Sequence, residues 1–370
     1  MAGLYVHIPF CASRCVYCGF YSTTLSSLHA AYVEALLGEL SLRRGSCGEP
    51  WRTIYIGGGT PSRLSPALLR RLFSGIDCSA AEEVTMECNP DDVTPEFAAA
   101  MASLPVGRVS MGVQTFSDSR LRFLRRRHNA AEARAAVERL RRAGIGNISI
   151  DLMFGFPGET LADWQGDIRE AVALDVDHIS AYSLMYEEDT PLYRMMQEGS
   201  VGETDEETSR AMFYALSDSL AAAGYEHYEI SNFARSGRRS MHNSGYWRGV
   251  PYVGIGAAAH SYDGDSRSWN IADVGRYIES IGRGVVPSEG ETLDADTRYN
   301  DMVMLALRTA EGIDLDALER TLGKSRLDYC MANAARYEAD GLLLREGHRL
   351  RLTRKGLFVS DMIMSDLMIV

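Results

Sequence analysis

The stretch HIPFCASRCVYCGF, residues 7–20, sets Cys11, Cys15 and Cys18 at spacings of four and three. Cysteine thiolates hold iron–sulfur clusters, and in a [4Fe-4S] cluster with four protein ligands every iron is capped. Three ligands leave one iron open, as catalytic zinc sites keep one position open for substrate. The competing reading is a zinc ion completed by His7 or His29. Zinc sites usually join two paired half-motifs, and the chain carries no second CxxC or HxxxH. Cys47, Cys78, Cys88 and Cys330 match no ligand spacing and read as small buried apolar side chains. Seven cysteines in a chain with no export signal argue against a disulfide framework.

Outward from the cysteines, short β-rich runs alternate with amphipathic helical stretches, the pattern of a parallel sheet built from βα units. The predicted strands are 4–8, 53–58, 84–88, 108–114, 148–154 and 178–185. Between them, Tyr32/Leu36/Leu37/Leu40, Leu68/Leu69/Leu72 and Val137/Leu140 repeat at helical spacing, the last ending at Gly144. Cys11, the glycine-rich GGGTPS (57–62), Glu87, Gln114 and Asp151 all fall at or near the C-terminal ends of these strands, where a (β/α) barrel builds its site.

CxxxCxxC with an aromatic, Tyr17, before the last cysteine resembles the motif of the radical S-adenosylmethionine (SAM) enzymes, and the likeness runs through the first 185 residues. It implies an α/β fold, a partial (β/α)6 barrel, with SAM chelating the open iron of a [4Fe-4S] cluster on Cys11, Cys15 and Cys18; the cofactor then carries the radical chemistry. The same resemblance assigns SAM contacts to Tyr5, Gly59, Thr60, Glu87, Gln114, Arg126 and Asp151, with Met153 and Met185 at the adenine side. LYVHIPFC, GGGTPS, SMGVQTF, DLMFGFPGET and HNSGYW together resemble the oxygen-independent coproporphyrinogen III oxidase family over nearly the full length. That family holds oxidases and HemW-type haem chaperones. The oxidases extend the motif to CxxxCxxCxC and carry a longer segment before the cluster; here position 20 is Phe20 and ten residues precede Cys11. HNxxYW, typical of the chaperones, stands as His242, Asn243, Tyr246 and Trp247. The resemblance therefore implies haem as cargo, with His242 as an axial ligand and Tyr246 and Trp247 stacking on the porphyrin, and acceptor haemoproteins, membrane-bound ones included, as partners. A cluster-dependent dimer is compatible with this reading.

Beyond residue 186 the alternation stops. The expected organisation is a radical SAM partial barrel over 1–186, a small α/β extension with the HNxxYW segment over 187–288, and a C-terminal helical, winged-helix-like domain over 289–370. In the extension, 205–223 reads as a helix, YEHYEI as a strand, and PYVGIGAAAHSY as a segment whose backbone approaches something closely. The closing MIMSDLMIV reads as a helix burying its apolar face.

Composition narrows the partners. The 370 residues are 46% hydrophobic and 24% charged with a formal net charge of -12, and the arginines are scattered instead of forming a basic stripe. Nucleic acid is thereby disfavoured, and with it an RNA-modifying radical SAM enzyme. No secretory leader and no apolar run of membrane-spanning length is apparent, so a cytoplasmic protein is expected, with peripheral attachment at the inner membrane compatible.

Overall fold

The computed structural model describes residues 2–43 and 50–370, so Cys47 lies outside the described residues. Six strands lie side by side in chain order, each parallel to the next: β1 (Gly3–Ile8), β2 (Thr53–Gly58), β3 (Glu83–Cys88), β4 (Arg108–Gln114), β5 (Asn147–Phe154) and β6 (His178–Ser183). Parallel neighbours need a crossover, and here helices supply it. Tyr32, Leu36, Leu40, Leu69, Leu72, Val137 and Leu140 are buried along their inner faces, and Gly144 takes φ +92° just past the third of them. Asn129 with Glu132, and Thr160 with Asp163, form reciprocal capping boxes that fix two helix starts, each worth about 1 kcal/mol.

Side chains alternate across a strand. Leu4, Val6 and Ile8, Ile54 and Ile56, Val84 and Met86, Val109 and Met111, and Ile148, Ile150 and Leu152 pack in the main core with the helices. The intervening positions carry Tyr5 and His7, Thr53 and Tyr55, Glu83, Thr85 and Glu87, Arg108 and Ser110, Ser149 and Asp151, and His178 and Ser180. The register sets Tyr5 beside Tyr55, Tyr55 beside Thr85, and Thr85 beside Arg108. The inside of the sheet's curve is thus lined by polar and aromatic groups.

The segment after residue 186 widens this same sheet. β7 (Glu226–Glu229) and β8 (Asn232–Ala234) add antiparallel beyond β6. β9 (Tyr252–Ile255) adds parallel to β1, followed by antiparallel β10 (His260–Tyr262), β11 (Ser266–Asn270) and β12 (Ser288–Thr292), giving twelve strands. The helix expected over 205–223 spans Glu206–Ala222 with Asp205 as its cap. Buried Glu39, on the helix His29–Leu42, ties β9 and β11 to the barrel: it accepts from Arg43 Nε at 2.8 Å, Asn270 Nδ2 at 2.8 Å, the Gly256 N–H at 2.8 Å and the Tyr277 hydroxyl at 2.5 Å. Gly256 has φ +106°, and a Cβ there would lie 2.6 Å from the Tyr32 hydroxyl and 2.7 Å from the His7 carbonyl, the close approach expected of this glycine-rich segment.

Residues from 295 onward hold a second core around Tyr299, Val303, Leu318, Leu350 and Ile363. Helix Ala295–Leu307, β13 (Ile313–Asp314), helices Leu315–Leu322 and Lys324–Ala339, β14 (Leu343–Glu346) and β15 (Arg349–Leu352) follow in turn, and β15 lies between β13 and β14 in a three-stranded sheet. The last helix, Ser360–Leu367, buries Ile363, Met364 and Leu367. Among the described residues no helix is long and apolar enough to cross a membrane.

Candidate cluster and cofactor site

Cys11, Cys15 and Cys18 follow β1 on a loop, half-buried and unbridged, and line one cavity of about 230 Å³ at the C-terminal end of the parallel strands. Gly59, Thr60, Glu87, Gln114, Arg126 and Asp151 line the same cavity, so six of the nine expected SAM positions converge on the cysteines. The Thr60 hydroxyl donates to Cys11 Sγ and Arg126 Nη1 donates to Cys15 Sγ, each at 3.6 Å. A Cβ on Gly59 would sit 3.0 Å from Cys11 Sγ and 3.0 Å from the Pro9 carbonyl carbon, so only glycine leaves this sulfur its room. Among the described residues no group of three His, Cys, Asp or Glu converges as it would on a single ion. That donor set suits a cluster with thiolates at separate corners better than zinc, and neither His7 nor His29 completes a site.

Behind the cysteines, Tyr55 donates to Glu87 Oε1 at 2.8 Å and the Gly58 N–H donates to Glu87 Oε2 at 3.0 Å. Burial pushes the Glu87 carboxyl up to about 7, with Tyr55, Gly58 and the Arg108 guanidinium opposing the rise and Asp151 adding to it. Burial also raises Asp151, against hydrogen bonds from Ser180 and Ser110 and the charges of Arg108 and Arg126. Arg108 is 2% exposed, with Nε and Nη1 free of any protein partner, the buried positive centre that offsets these two carboxylates. Gln114 holds φ +69° at an irregularity in β4, a backbone state that a non-glycine residue keeps only when its surroundings impose it. Here Thr115 and the Phe116 N–H anchor the following turn on Asp167, at 2.5 and 3.0 Å.

Three expected SAM positions stand outside the cavity. Tyr5 points into the barrel one layer lower, its hydroxyl 3.0 Å from His7 Nδ1 and its ring 6.1 Å from that of Tyr55 and 6.5 Å from that of His242, the three rings forming one cluster. Met153 is buried in a small apolar cluster with Val16, Leu124 and Leu184, and Met185 lies past the end of β6, 60% exposed. Cys88 and Cys330 are buried as expected, whereas Cys78 is only half-buried.

HNSGYW forms the helix Met241–Trp247, which closes the opposite, N-terminal end of the strands. Glu83, first residue of β3, accepts the Met241 and His242 N–H groups at 3.0 Å each. His242 is buried with both ring nitrogens engaged, Nδ1 with the Thr53 hydroxyl at 2.9 Å and Nε2 with the Tyr246 hydroxyl at 2.8 Å. His242, expected as an axial haem ligand with Tyr246 stacking beside it, thus stands in the barrel base with both ring nitrogens hydrogen-bonded to hydroxyl groups of the chain. The Asn243 N–H is held by the Ser240 cap at 3.3 Å, and Trp247 lines a larger cleft beside the barrel.

Sequence reasoning missed Asn89 and Arg108. Asn89 donates to Thr60 at 3.3 Å and accepts from Arg126 at 2.7 Å, joining two of the expected positions. The signal was the period-two run of polar residues inside otherwise apolar strands, which marks a polar lumen.

The pattern that defines the Radical SAM superfamily matches residues 5–171, and that of the HemN C-terminal domain matches residues 293–359. The chain is 35% identical to the Heme chaperone HemW of Bacillus subtilis over 96% of each chain. It is 34% identical to the Heme chaperone HemW of Mycobacterium tuberculosis over 99% of this chain and 94% of that one. Its fold is similar to that of the coproporphyrinogen III oxidase HemN of Escherichia coli, with a TM-score of 0.84 at 21% identity over 99% of this chain and 89% of the other. With likeness to the haem chaperones running through barrel, extension and C-terminal domain alike, the chain belongs to the HemW family of radical SAM proteins.

Proposed function

We propose that the protein carries haem to acceptor haemoproteins in the cytoplasm, with a [4Fe-4S] cluster on Cys11, Cys15 and Cys18 and SAM held by Gly59, Thr60, Glu87, Gln114, Arg126 and Asp151. The observation that carries this reading is Phe20. Where an oxidase of this fold would present a further cysteine, a phenylalanine stands 74% exposed at the cavity, within a chain similar to HemW proteins from end to end. When bound, cluster and SAM would supply one-electron chemistry. The chain's own part is positional: Thr60 and Arg126 donate to the sulfurs, Gly59 leaves them space, and Glu87 and Asp151 offer acceptors for hydroxyl groups.

The test is anaerobic reconstitution followed by two parallel assays. Haem is offered and its transfer to an apo-haemoprotein is followed by absorbance; coproporphyrinogen III is offered with SAM and reductant, and loss of two carboxyl groups is sought by mass spectrometry. Haem transfer with intact coproporphyrinogen is the expected result. Decarboxylated product would make the protein an oxidase.

A further inference from the structure

Arg108 opens β4 on the face that lines the barrel and is 2% exposed. Strand register places it between Thr85 of β3 and Asn147 of β5. Among the described residues, Arg108 Nε and Nη1, Thr85 Oγ1 and Asn147 Oδ1 are all buried without a hydrogen-bond partner. Three adjacent strands thus contribute one unpaired polar row.

Besides burial, the positive charge of Arg108 acts on the ionisation of Tyr55, Glu87, Asp151, His178, Tyr228 and His242. These side chains come from β2, β3, β5, β6, β7 and the helix Met241–Trp247, so the guanidinium stands in the middle of the lumen. The groups around it are engaged elsewhere. Glu87 accepts from Tyr55 and the Gly58 N–H, Asp151 accepts from Ser110 at 3.4 Å, and His178 meets Ser149 and Tyr228 at 2.7 Å each. A buried cation with neither a contacting counter-ion nor acceptors is strongly unfavourable, and buried polar groups in folded proteins find a partner in protein, water or ligand. Ser110, two residues along β4 on the same face, lines the cysteine cavity together with Glu87 and Asp151. The unpaired row therefore lies just beneath the floor of that cavity, and its three residues line neither the cavity itself nor the cleft at Trp247.

We propose that Arg108, flanked by Thr85 and Asn147, is an oxyanion site in the barrel lumen that takes the carboxylate of a small molecule entering through the cysteine cavity. Water would complete the hydrogen bonds and leave the charge unanswered. A carboxylate supplies acceptors and counter-charge together, and hydrogen bonds between ionised partners are about twice as strong as neutral ones. The Thr85 hydroxyl adds a further donor from the neighbouring strand. The barrel then holds two ligands along its axis, one at the cysteines and one at Arg108.

The test is equilibrium dialysis of the cluster-loaded protein against carbon-14-labelled formate at constant ionic strength, with saturating SAM to occupy the open iron. One formate per chain is expected. Arg108→Met should weaken formate binding tenfold or more while bound iron holds, and Arg108→Lys, which keeps the charge, should weaken it less. Thr85→Val, which leaves the charge in place, should weaken it about threefold. Absence of bound formate in the wild type, with water alone completing Arg108, overturns the proposal, as does equal binding by wild type and Arg108→Met. Should Arg108→Met fail to fold, unchanged formate affinity in Thr85→Val decides against the site. Failure to load the cluster or SAM would instead count against the cofactor reading above, a distinct result, and the same dialysis of wild type and Arg108→Met without cofactors then decides the oxyanion site.

Discussion

Two sets of buried side chains in the barrel and its flanks titrate with opposite sign. Burial lowers His242 to about 3 and His7 and His128 to about 4. Their folded pKa values lie below the unfolded value near 6.5, so the stabilisation from keeping them neutral is full above about pH 6.5 and fades as pH falls toward 4 and then 3. Glu87 and Glu159 are raised by burial to about 7. Their contribution is full below about pH 4.5 and is lost as pH rises through 7. Glu87→Gln should therefore raise unfolding free energy at pH 8, on the order of 1–3 kcal/mol, and change it little at pH 4; urea titrations at both values decide this. A sharper residue-scale expectation concerns Gly59. Its missing Cβ would meet Cys11 Sγ and the backbone of Pro9 and Phe10, which cannot swing aside, so Gly59→Ala should abolish cluster loading, read as bound iron per chain, while circular dichroism stays native. The cysteines and glycines were legible in the sequence because rare residue types at fixed spacing carry their own chemistry. Asn89 and Arg108 were not, since an ordinary polar residue gains a role only once strand register decides what it faces. Tyr5 and Met153, each two residues from His7 or Asp151 on the same strand, stand outside the cysteine cavity because the barrel is layered along its strands and local sequence does not say which layer a side chain joins.

At the scale of elements, buried Glu39 is the pin between the helix His29–Leu42 and the added strands. It accepts four hydrogen bonds from residues as distant in sequence as Tyr277, so Glu39→Ala should cost about 3–5 kcal/mol, measured by denaturant unfolding, by stranding the Arg43 charge and the Asn270 amide. Hydrogen exchange should show β9 and β11 losing protection before β3 and β4. The predicted strands of the first half lie within one or two residues of their observed limits, because apolar alternation and glycine stops are local signals. The α/β extension expected over 187–288 widens both margins of the sheet, but which strands it meets was not legible: antiparallel pairing of β8 with β6, or parallel pairing of β9 with β1, is chosen by long-range partners that leave no local trace.

For the whole molecule, the helix Met241–Trp247 stands between two cavities. Trp247 reaches the cleft; His242 stacks on Tyr55 at 5.2 Å, and Tyr55 donates to Glu87 in the cysteine cavity. A ligand that shifts this helix alters the geometry around Glu87, and linkage requires the effect to be reciprocal. SAM should change haem affinity by about 5-fold or more, and haem should change SAM affinity by the same factor; calorimetric titration in both orders checks the equality, and Tyr55→Phe should shrink it. One further consequence follows from the width of the sheet. Twelve strands that do not close into a ring leave an outermost strand, β12, whose five residues Ser288–Thr292 are all exposed with backbone groups on their outer side open to another chain. Glu289, Gly290 and Glu291 at its centre make that strand a poor template, since a second copy laid alongside would bring like charges together. Replacing those two glutamates by glutamine removes the guard, so the tendency of crowded copies to pair edge to edge rests on two side chains at one margin of the sheet.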